Sequence, residues 1–70
     1  MNGIKIFSLK ELRQVKKYSQ KQVANMLGTT QQVYSRYENG LNALPITHLI
    51  KLSKIYNVTT DYMLGLDRGD

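Results

Sequence analysis

Seventy residues are enough for one small domain. A chain of that length buries roughly 60% of its extended surface, so its core must be compact. It has no cysteine, which excludes a disulfide staple and a thiolate metal site, and its ten Lys and Arg against five Asp and Glu leave a net charge of +5. That balance favours a polyanionic partner, with nucleic acid ahead of a membrane surface. Enzyme chemistry has little to work with, because His48 is the only histidine and the carboxylates do not cluster. No metal, cofactor or small-molecule ligand is expected. With no signal-peptide block and no apolar run of membrane-spanning length, the chain reads as soluble and cytoplasmic.

The first element is announced by Ser8, Leu9, Lys10 and Glu11, which have the form of a capping box, with Phe7 and Leu12 placed as a hydrophobic staple. This predicts a helix from about Leu9 to Lys17 with Leu9 and Leu12 inward, and Ile4 and Ile6 allow an earlier start. Ser19 is the next N-cap, opening a helix over Gln20 to Leu27 whose Val23, Ala24 and Leu27 share a face. Gly28 suits the left-handed position that stops it. Thr30 then caps a third helix from Gln31 to about Asn39, ending at Gly40. Two short helices joined by a turn of about three residues containing glycine form a helix-turn-helix layout.

Pro45 suits the first turn of a fourth helix reaching about Tyr56. Its expected inner face is Ile46, Leu49, Ile50, Leu52, Ser53 and Tyr56, with Ile55 stranded on the polar side beside His48. Thr59 or Thr60 caps a short fifth helix through Leu64, and Gly65 ends it. The expected fold class is therefore all-α, a five-helix domain over residues 1–65 with a tail or the start of a linker over 66–70.

On a helical wheel, the third helix packs inward through Tyr34 and Tyr37 and presents Gln31, Gln32, Ser35 and Arg36 outward. Those four side chains carry the donors and acceptors that read base edges: Gln pairs with adenine N6/N7 and Arg with guanine O6/N7. Val33 lies at the border, where it could meet a thymine methyl or belong to the core rim. Lys10, Lys16, Lys17 and Lys21 add positive charge around the first two helices.

The strings "LKELR", "YSQKQVANMLGTTQQVYSRYENG", "LIKLSKIYNV" and "TTDYMLG" together resemble the Cro/repressor (XRE-type) helix-turn-helix domain, and "GTTQQ" resembles the recognition-helix start of lambdoid phage repressors. The resemblance covers about four-fifths of the chain. It implies a lambda-repressor-like fold with the third helix in the major groove of a double-stranded DNA operator. Gln31 and Gln32 would then read bases, with Ser35 and Arg36 on bases or phosphates. Gln20, Lys21, Thr30 and Asn39 would hold the DNA backbone, together with the main-chain amides after Asn39. Arg13 and Glu38 would form a structural ion pair.

The resemblance also implies a homodimer on a palindromic site, and a phage or mobile-element repressor in a bacterial or phage-infected cell, associated with the nucleoid. A restriction-modification controller fits nearly as well. An antitoxin or adaptor on the same fold is the competing class. The sequence departs from the family at Leu41, Asn42, Ala43 and Leu44, where Lys or Arg is frequent, and at Tyr34, where an aliphatic residue is usual. Leu41, Leu44 and Ile55 have no obvious interior place and could cover the fifth helix or form a dimer contact.

Overall fold

The computed structural model describes residues 9–65. It consists of α1 (Leu9–Val15), α2 (Gln20–Leu27), α3 (Gln31–Glu38), α4 (Ile46–Tyr56) and α5 (Thr60–Leu64), with no strand among the described residues. The capping box at Ser8, the staple at Phe7, the early start through Ile4 and Ile6, and the tail over 66–70 lie outside them.

Helix ends follow local chemistry. At α2 the capping box is complete: Gln22 N–H donates to Ser19 Oγ at 3.0 Å and Ser19 N–H donates to Gln22 Oε1 at 2.7 Å. Thr30 accepts from Val33 N–H at 3.2 Å and Thr59 from Tyr62 N–H at 3.0 Å, so both threonines cap their helices. Gly28 adopts φ 81° and stops α2.

Three boundaries differ from the sequence reading. Helix α1 ends at Val15 rather than Lys17, because Lys17 itself takes the left-handed conformation (φ 61°) and Tyr18 N–H turns back to the Arg13 carbonyl at 3.2 Å. Asn39 is the C-cap of α3 rather than its last residue, and Pro45 is the N-cap of α4 rather than a residue of its first turn.

The core is built from Leu9, Val23, Ala24, Leu27, Tyr34, Tyr37, Leu49, Leu52, Tyr56 and Met63. Helix α2 packs on α3 and α4, and α4 packs on α5. The inner stripe of α4 is narrower than expected: Leu49, Leu52, Ser53 and Tyr56 are buried, whereas Ile46 is 70% and Ile50 45% exposed. Ile55, together with Leu44, instead packs against the core. Helix α4 is apolar on several sides, so the position of its neighbours, not its own pattern, selects which stripe is covered.

A buried polar contact joins α3 to α4. Tyr34, fully buried, places its hydroxyl 2.7 Å from that of Tyr56. This provides the partner that a buried tyrosine hydroxyl requires. Tyr34 also meets the ring of Tyr37 edge-on, with centroids 6.4 Å apart.

Candidate nucleic-acid interface

Helix α3 is fixed from within, and what remains outside is polar. Gln31, Gln32 and Arg36 are exposed and Ser35 is half-buried, while Tyr34 and Tyr37 point into the core. An open concavity of about 480 Å³ runs along this outer face. Its lining comprises Gln20, Gln31, Gln32, Ser35, Arg36, Asn39 and Leu41. Thus six side chains expected at a DNA contact share one surface, five from α3 and its C-cap and one from the first turn of α2. Lys21 and Thr30 are exposed but lie outside this lining, and Val33 is half-buried against the core.

Behind the concavity sits a buried carboxylate. Arg13 Nε donates to Glu38 Oε2 at 2.6 Å and Arg13 Nη2 donates to Oε1 at 3.2 Å, a bidentate pair whose side chains are 13% and 2% exposed. Arg13 Nη1 also donates to the Tyr18 carbonyl at 3.0 Å, tying α1 to the start of α2. Gln20 Nε2 donates to Glu38 Oε1 at 3.0 Å.

Burial pushes the Glu38 carboxyl up, but hydrogen bonds from Arg13, Gln20 and Tyr34 outweigh it and hold the group below its ordinary value. The Tyr34 and Tyr56 hydroxyls share one hydrogen bond beside this carboxylate, and either can be its donor. Burial, reinforced by these contacts, raises the Tyr34 phenol far above its usual range, and burial pushes Tyr56 up to about 12. The hydrogen bond to Glu38 in turn raises the Arg13 guanidinium. Four helices therefore converge on one fully satisfied polar cluster, and Gln20 reaches the concavity with one amide hydrogen already committed to it.

The segment after α3 behaves differently from expectation. The amides of Asn39, Gly40, Leu41 and Asn42 donate to Ser35, Tyr37, Arg36 and Arg36 carbonyls respectively, at 3.1, 3.2, 2.9 and 3.4 Å. These N–H groups close the helix end and are not free for a phosphate, because each donor is already used. The Asn39 side chain, exposed on the concavity, is the polar group offered at this end. Sequence reasoning missed Leu41, which is 69% exposed and lines the same surface. Its signal was visible as an apolar residue standing where the family frequently carries a cation. It also missed the contact between the Tyr37 hydroxyl and His48 Nδ1 at 3.0 Å, which takes a histidine expected on the free surface and docks it against α3.

The electrostatic setting is positive. Lys10, Lys16, Lys17, Lys21, Arg36, Lys51 and Lys54 are exposed, against exposed Glu11 and Asp61 among the described residues. Neither α2 nor α3 carries an acidic residue in its first turn, so the partial positive charge of each N-terminus is not neutralised locally.

Comparison with known proteins shows the family and the fold. The helix-turn-helix family model matches residues 9–63, nearly the whole of the described chain. The chain belongs to the helix-turn-helix family. Among its relatives is the HTH-type transcriptional regulator ImmR of Bacillus subtilis (strain 168), 44% identical over 59 residues, covering 84% of this chain and 46% of ImmR. Another is the SPbeta prophage-derived HTH-type transcriptional regulator YonR of the same strain, 45% identical over 56 residues, covering 80% of this chain and 52% of YonR. The chain thus spans about half the length of these curated relatives.

A solved structure with the same helix arrangement is the P22 c2 repressor in complex with a synthetic operator. Its TM-score is 0.77 at 25% identity, covering 84% of this chain and 89% of that one. The five-helix, helix-turn-helix architecture expected from the sequence is the one this family member has.

Proposed function

We propose that this helix-turn-helix chain is the sequence-specific double-stranded DNA-binding part of a transcriptional regulator, and that it acts as a repressor of phage or mobile-element type. One observation carries the reading: Gln31, Gln32, Ser35, Arg36, Asn39 and Gln20 line a single outward concavity on a helix held rigidly from behind. The family membership, the prophage-derived relative YonR and the likeness to a repressor–operator complex support it.

Helix α3 enters the major groove, where Gln31 and Gln32 read adjacent base edges and Arg36 favours guanine. Ser35 contacts a base or a phosphate. Gln20, with its remaining amide hydrogen, and Asn39, Thr30 and Lys21 contact the DNA backbone. Repression is steric, through an operator that overlaps a promoter, and two copies bind a palindromic site. No described helix is long and apolar enough to cross a membrane, and cytoplasmic action on DNA fits that.

Selection of bound sequences from a random duplex pool at physiological salt tests this reading. An enriched palindrome is expected. Gln31→Ala or Gln32→Ala should cost about 1–3 kcal/mol and relax one base position each, whereas removal of a phosphate contact weakens all sequences alike. A pool without enrichment, or binding indifferent to both substitutions, would refute the proposal.

A further inference from the structure

Among the described residues, Leu41 is the one apolar side chain lining the concavity of α3, and it is 69% exposed. It is not a loose residue. Its amide donates to the Arg36 carbonyl at 2.9 Å, directly after Gly40 in the left-handed conformation (φ 72°), so its backbone is anchored to the last turn of α3. An apolar group of that size exposed to water gains free energy only when something covers it. Every other lining side chain is polar or charged, and each is suited to base edges or phosphates. In the major groove the only apolar feature that distinguishes one base from another is the C5 methyl of thymine.

We infer that Leu41 is a specificity-determining residue that packs on a thymine methyl at the trailing end of the base-reading surface. This rests on the DNA-binding reading above and adds a position to it. Val33, the apolar residue at the border of the helical wheel, is half-buried against the core and absent from the lining, so it does not compete for that role. Helix α3 advances about 1.5 Å per residue and base pairs about 3.4 Å per step. The thymine therefore lies within about four base pairs of the one read by Gln31. A leucine in place of the cation common in the family exchanges non-specific phosphate attraction for base discrimination.

The test uses the duplex enriched from the random pool, with each thymine replaced in turn by uracil, which lacks only the methyl. Loss of one buried methyl should weaken binding about fourfold at one thymine per half-site. In Leu41→Ala the same replacement should have no effect, and that coupling separates a direct contact from any change in DNA shape. Leu41 is exposed, so the variant should keep the fold, which circular dichroism checks. Leu41→Lys should lose the uracil sensitivity while its log-affinity against log-salt slope steepens by about 0.9. A flat uracil scan overturns the inference, as does sensitivity that survives in Leu41→Ala or disappears in Val33→Ala instead. Failure to enrich any duplex would instead remove the DNA-binding reading, and this inference with it.

Discussion

At the scale of single residues, two positions show how backbone conformation and side-chain identity can conflict. Lys17 and Asn57 both end helices with positive φ, at 61° and 56°. Both carry a Cβ that crowds the following carbonyl, but the short amide of asparagine can offset this by bonding locally and the lysine side chain cannot. Lys17 therefore holds a turn that glycine would adopt with less strain, while contributing an exposed positive charge beside the N-terminus of α2. Lys17→Gly should raise stability by about 0.5–1 kcal/mol, after allowance for the greater chain entropy of glycine. In urea unfolding the midpoint should rise at unchanged slope. Salt dependence of DNA binding in the same variant would report whether the charge matters at the interface.

At the scale of elements, the junction of α3 with α4 governs how the concavity is presented. The Tyr34 and Tyr56 hydroxyls are hydrogen-bonded to each other across the junction, 2.7 Å apart. Tyr34→Phe leaves the Tyr56 hydroxyl buried without its partner, which should cost about 1–3 kcal/mol. Tyr56→Phe should cost a similar amount, because it leaves the fully buried Tyr34 hydroxyl without that partner. The double variant removes both hydroxyls and should be less destabilised than the two single effects added together. Denaturant melts of the four proteins provide this cycle, and strict additivity would argue against the shared hydrogen bond.

At the scale of the whole molecule, the Arg13–Glu38 pair draws together α1, α2 and α3, and reaches α4 through the two tyrosines. Glu38 titrates below its ordinary value in the fold. A depressed carboxyl contributes stability that is complete above the unfolded pKa of about 4.3 and is lost as pH falls through the folded value. Thermal melts should therefore show a declining Tm on the acid side of that point. Glu38→Gln should flatten this acid limb, while lowering stability at neutral pH by about 3–5 kcal/mol because Arg13 is left without its counter-charge. An acid limb of unchanged slope in the variant would show that other carboxyls dominate it.

The boundaries of α2, the cap at Thr30, the inward tyrosines and the outward glutamines were all legible in the chain, because each depends on contacts within a few residues. So were Leu9, Val23, Leu27 and Leu49 as core. Other features were not. Ile46 and Ile50 looked buried and Ile55 exposed, since a helix apolar on several sides does not state which stripe its neighbours will cover. The amides of Gly40, Leu41 and Asn42 looked available for phosphate, since nothing local announces that the helix end folds back and uses them.

The sequence by itself determined the five helices, the caps at Ser19, Gly28 and Thr30, and the polar character of the outer face of α3, because propensity, capping and periodicity are short-range. Only the tertiary structure decided that Gln20 donates to Glu38 as it reaches that face, that Ile55 rather than Ile46 packs on the core, and that Leu41 completes the surface. These depend on distances between helices, which are set by packing volume and by where buried polar groups find their partners.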